Sequence, residues 1–501
     1  MDLFHHIVYG ATILVTGNNL IYLFVGCLLG TLVGVLPGLG PPAALSILLP
    51  LTYEMSPASS LIMLSGIYYG AMYGGSTTSI LVNIPGEAAS VVTCFDGYKM
   101  ALAGRAGPAL GISAIGSFVA GTFGTAMIML LAPLMVSVAL KFGPSEFVGL
   151  LVLSLTMVAF LSSISPLKAL ITANIGLILG TVGTDPIKGV SRFVYGIPTL
   201  MDGVGLIPLV MGLFGISEVL INLEGEIKRE ILASKIKGLW PNRRDLRVCA
   251  GPIARGSVLG FFMGILPGMG AIVPTFVSYT IEKKLSRHPD QFGKGAIEGV
   301  AAPEAANNAA SSGCFVPLLT LGIPTNVIMA LLIGALVVQG VEPGPLLLTK
   351  HPDIFWGVIM SMYLGNIVLV VLNLPLIGMW VKILKVPYHI LYPLIILFCI
   401  IGAYSVSGNP DDIIVLTIFG GLGYVMRKTE FDTAPLVLGF ILGPMFEEAF
   451  RQTLILSNGK FRIFYDRPIS FCFLLLVGLL LVFTPLKNLF KKIHARIGPE
   501  T

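Results

Sequence analysis

Two polar runs inside apolar stretches are the parts of this sequence best suited to hold a ligand. The first run has four consecutive hydroxyl residues behind a glycine pair. Its candidate binding residues are Gly74, Gly75, Ser76, Thr77, Thr78, Ser79, Asn83 and Pro85. Hydroxyls and free backbone amides donate hydrogen bonds, so this run could bind an anion. The simpler interpretation is that the hydroxyls bond back to carbonyls of their own helix.

The second run lies in the other half of the chain and combines small residues, amides and one acid. It reads PEAANNAASSG from Pro303 to Gly313, and its candidate binding residues, with two that follow an Ile-Pro pair, are Asn307, Asn308, Ser311, Ser312, Thr325 and Asn326. Asparagine offers both donors and acceptors. Glu304 is an acid within or at the end of a membrane segment, where ionisable residues are costly and often functional. We expect it to bind a cation or carry a proton, or else to lie at an interface.

A self-match joins the two halves of the chain. Residues 26–40 read GCLLGTLVGVLPGLG and residues 256–270 read GSVLGFFMGILPGMG, with every glycine at the same offset, 256 − 26 = 230. Glycines four apart form a smooth stripe on one helix face, which lets another backbone approach closely. The Leu-Pro-Gly-x-Gly that follows should end the helix, because proline blocks continuation and glycine accepts left-handed torsions.

A helix that ends inside a membrane leaves unpaired backbone groups, which are tolerated only when buried in protein or lining a cavity. The break at Leu-Pro-Gly-x-Gly could also be a tightly packed helix kink with no role in binding. Two copies in corresponding halves favour a binding site, since transporters often place broken helices around their substrate. The further candidate binding residues are Gly38, Gly40, Gly268 and Gly270.

The composition requires a bilayer as solvent. Of the 501 residues, 55% are hydrophobic and only 11% are charged, whereas soluble domains carry about 25% charged residues. Hydropathy predicts an all-α polytopic membrane protein with about 10 to 14 transmembrane or re-entrant helices. The predicted organisation is a first membrane half at 1–222, a basic connecting segment at 223–254, a second half at 255–468, and a C-terminal transmembrane helix with a basic tail at 469–501.

The distribution of lysine and arginine predicts the orientation. No basic residue occurs before Lys99, whereas eight lie between residues 223 and 255, and four more lie near the C-terminus. By the positive-inside rule the connecting segment and the C-terminus are cytoplasmic and the N-terminus is on the opposite side. The two glycine-stripe copies then run in from opposite faces, so the repeat is predicted to be inverted. Asp96, Lys99 and Arg105 are expected in a loop that gates or contacts a partner, and Glu87 and Glu298 allow the same interpretation.

These motifs also carry a family resemblance. The runs GVLPGLGPPAALSILLPLTYEMSP and YYGAMYGGSTTSILVNIPGEAASVVTCFDGYKMALAGRAGPALG resemble the large membrane subunit of tripartite tricarboxylate transporters, a TctA-like permease. The second-half segments GILPGMG, PEAANNAASSGCFVPLLTLGIPT and GALVVQGVEPGP are similar to the same family, so the resemblance covers roughly residues 20–450. One departure is Thr325, where the family more often has glycine after Ile-Pro.

The resemblance implies a permease of the bacterial inner membrane. In such a membrane, the N-terminal side predicted from the lysines and arginines is the periplasm. The implied partners of the permease are a small four-helix membrane subunit and a periplasmic solute-binding protein. The implied substrates are citrate-like di- and tricarboxylates, taken up with a Na⁺ or H⁺ gradient rather than ATP. The sequence agrees on the last point, because it contains no G-x-x-x-x-G-K-[ST] loop. No other cofactor, no metal and no nucleic acid are expected.

Two alternatives stay open at this level. A membrane-embedded enzyme would need a nucleophile with a base or a metal site, but the sequence has no G-x-S-x-G or H-E-x-x-H motif, and no histidines pair at metal-ligand spacing. We therefore expect the protein not to be an enzyme. An anion channel would also use broken helices. Inverted halves around a central site favour alternating access over an open pore.

Overall fold

The computed structural model of the protein describes residues 3–36, 39–161, 165–185, 187–224, 238–384, 386 and 388–496. The chain is 78% helical with almost no strand, so the predicted all-α fold is confirmed. The first eight helices are α1 (Leu3–Val15), α2 (Asn19–Val35), α3 (Pro41–Leu48), α4 (Pro57–Val82), α5 (Val91–Leu102), α6 (Ala106–Ala139), α7 (Pro144–Leu161) and α8 (Pro166–Gly180). A two-residue antiparallel pair follows, made of β1 (Gly183–Thr184) and β2 (Ser191–Arg192).

The second part of the chain continues the helical pattern. A π-helical segment, Met211–Ile216, joins α9 to α10. The helices are α9 (Leu206–Val210), α10 (Ser217–Glu224), α11 (Arg243–Gly264), α12 (Ile272–Leu285), α13 (Glu298–Gly313), α14 (Phe315–Leu321), α15 (Val327–Val338), α16 (Leu347–Lys350), α17 (Pro352–Asn373), α18 (Ile377–Ile383), α19 (Tyr388–Ser407), α20 (Asp411–Lys428), α21 (Ala434–Leu456), α22 (Ile463–Asp466) and α23 (Pro468–Arg496).

Proline sets where many of these helices begin. The helices α3, α4, α7, α8, α17 and α23 each have proline as their first residue. Proline suits this position because its missing N–H would be unpaired there anyway and its φ is already helical. These six prolines therefore mark helix starts rather than kinks.

Four helices in the described part of the chain are long and apolar enough to cross a membrane: Ala106–Ala139, Leu206–Glu224, Pro352–Asn373 and Ile390–Ser407. The pair Phe4–Val15 and Asn19–Val35, bent by 80°, would add a fifth. Shorter apolar helices are Pro41–Thr52, Pro144–Phe160, Pro166–Gly180, Val327–Val338 and Pro468–Val482. The protein is therefore a multi-pass membrane protein, as predicted.

The chain forms two compact units. Unit 1 comprises Met1–Ala139 and Val204–Thr429, and unit 2 comprises Leu140–Gly203 and Glu430–Thr501. These units follow spatial packing and cut across the sequence halves, whose division at 222 and 255 stays a prediction. Residues 225–237, much of the basic connecting segment, lie outside the described residues.

Both glycine stripes in unit 1 bring two helix backbones into contact. On α2, a Cβ added at Gly26, Gly30 or Gly34 would lie 2.2–2.3 Å from a carbonyl oxygen of α4. On α11, a Cβ added at Gly256, Gly260 or Gly264 would lie 2.3–2.4 Å from a carbonyl oxygen of α13. The stripes therefore act as predicted, letting α2 lie against α4 and α11 against α13 without intervening side chains.

Unit 2 is held by a similar close approach and by an ion network. A Cβ at Gly176 of α8 would lie 2.0 Å from the Leu436 carbonyl oxygen of α21. Beyond α8, both oxygens of Asp185 accept from the Arg451 guanidinium, at 3.0 and 2.8 Å. Arg192 of β2 pairs with Glu447 at 2.6 Å. The Arg451 guanidinium, aided by the amide of Ile187, lowers the pKa of Asp185 to about 2.

This network predicts an acid-sensitive contribution to stability. Because the folded pKa of Asp185 lies below its ordinary value of about 4, the contribution is present above pH 4 and is lost as pH falls towards 2. We expect Asp185→Asn to lower the thermal unfolding midpoint of the full-length protein at pH 5, and the difference from wild type to shrink to a small part of that value by pH 2. The exposed Asp202 supplies the control, since Asp202→Asn should leave the midpoint unchanged across the range. A wild-type advantage over Asp185→Asn that is as large at pH 2 as at pH 5 would contradict this assignment.

Candidate functional site

Two helices of unit 1 carry both polar runs in the protein interior. Every residue of α4 from Ala58 to Val82 is buried, and so is every residue of α13 from Gly299 to Gly313. Their hydroxyls, amides and acid therefore face protein rather than lipid or water. Buried polar groups of this kind must find partners or they cost free energy.

The hydroxyl run of α4 binds mostly to other elements. The Ser76 hydroxyl donates to Glu304 at 2.5 Å, with a second, longer contact of 3.4 Å to the Met72 carbonyl of its own helix. The Thr78 hydroxyl donates to the Val35 carbonyl at 2.7 Å, so it satisfies the broken end of α2. Ser79 donates to the Ser90 carbonyl at 3.0 Å, and Thr77 is buried. The interpretation of pure back-bonding therefore does not hold for this run.

The glycines and the break beside this run have other roles than expected. Gly74 and Gly75 lie in the interior of α4, where backbone amides bond within the helix. The expectation that these amides are free is therefore wrong. Asn83 ends α4 with a left-handed φ of 59°, a conformation that asparagine tolerates. Pro85 follows and is half-buried.

Glu304 lies at the centre of a hydrogen-bond network. Besides Ser76, its carboxylate accepts from the hydroxyl of Thr93 on α5. Asn308, one turn along α13, donates to the Ser117 hydroxyl of α6 at 2.7 Å. Ser311 and Ser312 bond back to the carbonyls of residues 307 and 308 of their own helix. The network therefore connects α4, α5, α6 and α13 around Glu304 and Asn308.

A second carboxyl, Glu87, belongs to the same cluster. Its Oε1 accepts from Asn307 Nδ2 at 3.2 Å and its Oε2 from the Ala89 amide at 2.6 Å. A Cβ added at Gly75 would lie 2.8 Å from the Glu87 side chain. Glu87 is 6% exposed and Glu304 is 1% exposed.

The second helix break assembles four predicted residues. The Gly268 amide donates to the Thr325 carbonyl at 2.9 Å. Asn326 caps the N-terminus of α15, where its Oδ1 accepts from the Met329 amide at 3.0 Å. A Cβ added at Gly270 would lie 3.5 Å from the Asn326 side chain. At the first break, Gly40 precedes α3, whereas Gly38 lies outside the described residues.

Three polar atoms in this region are buried without a hydrogen-bond partner: Asn307 Oδ1, Thr325 Oγ1 and the Tyr69 hydroxyl. Two of them belong to predicted binding residues. Tyr69 lines a cavity of about 10 Å³ together with Thr125, Asn308, Ser312 and Asn366. That volume holds about one water molecule. The side chains of Tyr69, Asn307 and Thr325 therefore have unused hydrogen-bonding capacity.

Asp96 was predicted in a loop, but it lies in α5 and is fully buried. Its Oδ1 accepts from the amides of Gly293, Gly295 and Ala296 at 2.7–2.9 Å. Its Oδ2 accepts from the Tyr279 hydroxyl at 2.8 Å. The carboxylate thus fastens the segment before α13 to α5, across about 200 residues of sequence.

We expect Asp96→Ala to destabilise the protein by about 3 kcal/mol, since it leaves several backbone donors without a partner. The unfolding midpoint in detergent measures this effect. Asp290→Asn, at an exposed aspartate in the same region, is the control and should behave as wild type. An unchanged midpoint for Asp96→Ala would show that water replaces the carboxylate.

Several residues of the cluster were not predicted from sequence. Thr93 and Ser117 are each flanked by residues without hydroxyl groups, and isolated hydroxyl residues in helices are too common to single them out. Tyr68 of α4 lies beside Ser311 and Asn326 and so connects α13 with the second break. Nothing local distinguishes this tyrosine from an ordinary core aromatic residue.

Apolar spans, helices broken at glycine and proline, and a closed polar interior define a multi-pass membrane protein with a buried polar site. The chain belongs to the Tripartite tricarboxylate transporter TctA family, whose model matches residues 20–438. It is thus the TctA-type permease component of a tripartite tricarboxylate transporter. The family is a transporter component and not an enzyme family. Tripartite transporters of this kind include a small membrane subunit and a periplasmic binding protein.

Two relatives from Agrobacterium vitis are similar to this chain. An uncharacterised 52.8 kDa protein in the TAR-I ttuC' 3' region is 50% identical over 479 residues, covering 96% of this chain and 95% of the relative. An uncharacterised protein in the TAR-II ttuC' 3' region is 51% identical over 211 residues, covering 42% of this chain and 87% of the relative. No solved structure matches the chain.

Proposed function

We propose that this protein imports di- and tricarboxylates across the bacterial inner membrane. A Na⁺ or H⁺ gradient drives uptake, and a periplasmic solute-binding protein delivers the substrate. A small membrane subunit completes the complex. The substrate binds between the two repeats, which are inverted and alternate in their access to the two sides.

The unpartnered polar atoms between α4, α13 and the second break carry this proposal. Thr325 Oγ1 and Asn307 Oδ1 are buried without partners, which costs free energy unless a ligand engages these side chains. The Thr325 hydroxyl can donate to a carboxylate, and the Asn307 side chain can do so through Nδ2 once this donor leaves Glu87. The close approach of α2 to α4 and of α11 to α13 supports two similar elements around the site. The complete burial of α4 favours an alternating-access carrier over an open pore.

The test is uptake into proteoliposomes that contain this chain, its small subunit and the matching binding protein. Radiolabelled citrate and a panel of other di- and tricarboxylates are supplied outside, with Na⁺ and pH gradients imposed separately. We expect saturable accumulation that depends on the binding protein and on one of the gradients. Correctly inserted protein that moves no carboxylate under either gradient would overturn the proposal. Unsaturable flow down the substrate gradient would indicate a channel.

A further inference from the structure

Two buried carboxyl groups in unit 1 accept hydrogen bonds only from uncharged donors. Glu304 accepts from the hydroxyls of Ser76 and Thr93. Glu87 accepts from the Ala89 amide and from the side-chain amide of Asn307. Among the ion pairs of the described residues, neither carboxyl has a cationic partner; Arg105 pairs with Asp245 and Arg255 pairs with Glu282.

In the described part of the chain, the elements packed around the two carboxyls supply no compensating positive charge. The titratable groups that face the two carboxyls are Tyr68 and Tyr73 of α4 and Cys94 of α5. Helix α6 contains no titratable residue. On α5 and α12, Asp96 and Tyr279 bind each other. The other basic residues of α5, α11 and α12 are exposed: Lys99, Arg243, Arg244, Arg247, Lys283 and Lys284.

This arrangement has a direct electrostatic consequence. An ionised carboxylate without a counter-charge is costly in a protein interior, and two of them in one cluster also repel each other. The predicted substrate residues Ser76 and Asn307 bond directly to these carboxyls, so an anionic substrate would add further negative charge beside them. The substrate therefore binds more tightly when the carboxyls are neutral. By reciprocity, its binding favours their protonation.

Asn307 provides a second, independent observation. Its side chain is 99% buried, given 1% exposure, and its Oδ1 has no partner while Nδ2 donates to Glu87. A protonated Glu87 has an O–H group that can donate to Asn307 Oδ1 once the side-chain amide rotates and exchanges the positions of Oδ1 and Nδ2. This rotation would release the two N–H donors of Asn307 for a carboxylate substrate. Protonation of Glu87 and presentation of donors to the substrate are then one event.

We propose that the proton is the coupling ion, carried by Glu304 and Glu87, and that Asn307 links protonation of Glu87 to binding of the carboxylate. This inference rests on the proposed carboxylate transport. Protons reach both carboxyls from the extracytoplasmic side together with the substrate and leave to the cytoplasm when the substrate is released. The carboxyls are the carriers, so no metal ion is required at this cluster.

The proteoliposome system separates coupling from transport itself. Exchange of labelled for unlabelled substrate requires no net proton movement. The substrate used is citrate or the carboxylate of the panel that wild type exchanges best. Accumulation under a pH gradient does require net proton movement, and one pH unit drives about a tenfold accumulation for each proton carried. We expect Glu304→Gln and Glu87→Gln to lose accumulation under the pH gradient, and any exchange that they catalyse to be independent of pH. The exposed Glu342 gives the matched control, and Glu342→Gln should retain both.

A second measurement does not depend on any variant. The purified complex in weakly buffered solution should take up protons when citrate, or the panel member exchanged best, is added. No proton uptake by an exchange-competent wild type would overturn the inference, and so would accumulation that follows a Na⁺ gradient at equal pH. Glutamine variants that still accumulate substrate under a pH gradient would also overturn it. If wild type neither exchanges nor accumulates any carboxylate, the proposed function itself fails.

Discussion

Alanine in place of Gly30 or Gly260 is expected to prevent normal packing of unit 1. A Cβ at Gly30 would lie 2.2 Å from the Ile67 carbonyl oxygen, and one at Gly260 would lie 2.3 Å from that of Ala306. Both obstacles are backbone atoms of a facing helix, so no side-chain rotation relieves the clash. The cost should reach the upper end of the about 1–3 kcal/mol that overpacking causes. We expect a large fall in the unfolding midpoint in detergent and loss of transport for both variants.

Gly421 supplies a matched control for this experiment. It is an exposed glycine inside α20, and a Cβ there would meet nothing within 4 Å. Gly421→Ala should therefore be neutral, or stabilise by about 0.5–1 kcal/mol through helix propensity. If Gly30→Ala and Gly260→Ala unfold at the wild-type midpoint, the helix pairs do not pack as described. If only one of them is destabilised, the two stripes are not equivalent.

Valine in place of Thr325 is expected to weaken substrate binding without harming the fold. The Thr325 hydroxyl is buried beside the Cys314 thiol, a weak acceptor, and has no stronger hydrogen-bond partner, so its removal at nearly constant volume takes away a poorly satisfied polar group. The backbone bond from Gly268 to the Thr325 carbonyl does not involve this side chain. A hydrogen bond to a charged group contributes about 1.5–3 kcal/mol. The KM for carboxylate uptake should rise about tenfold to a hundredfold.

Thr320 is the control position, because the same substitution there removes a hydroxyl that has no proposed role in binding. It is equally buried, five residues earlier in α14, and its hydroxyl donates to the Val316 carbonyl of its own helix. Thr320→Val should leave KM within the experimental error of wild type. The result that would sink the binding role of Thr325 is an unchanged KM in a Thr325→Val protein that folds and transports normally.

The glycine motifs show how far local pattern reaches. The sequence predicted that helices end at Leu-Pro-Gly-x-Gly, and α2 and α11 end at Val35 and Gly264. It also predicted that glycines four apart admit another backbone. Both predictions depend only on torsion preferences and helical periodicity, which are properties of adjacent residues. The partner helix was not predictable, because the stripe carries no information about which backbone fills it.

The polar cluster shows the opposite case. Ser76 and Glu304 were both singled out, yet their bond spans 228 residues of sequence and depends on how α4 and α13 meet. Asp96 was placed in a loop because a charged residue near Lys99 and Arg105 is typical of one. The structure instead buries it against three amides of a distant segment. A carboxylate bound by backbone amides leaves no signature in side-chain types.

By itself the sequence determined the membrane class, the helical fold, the breaks and the residue types available to a ligand, and its motifs carried the family. These follow from composition, hydropathy and local torsion preferences, which act over a few residues. Only the tertiary structure decided which hydroxyls satisfy the broken end of α2, which atoms stay unpartnered, and that two carboxyls share one cluster without a cation. Those outcomes depend on the packing of helices that are distant in sequence. In the interior that these helices form, each buried polar atom without a partner costs free energy.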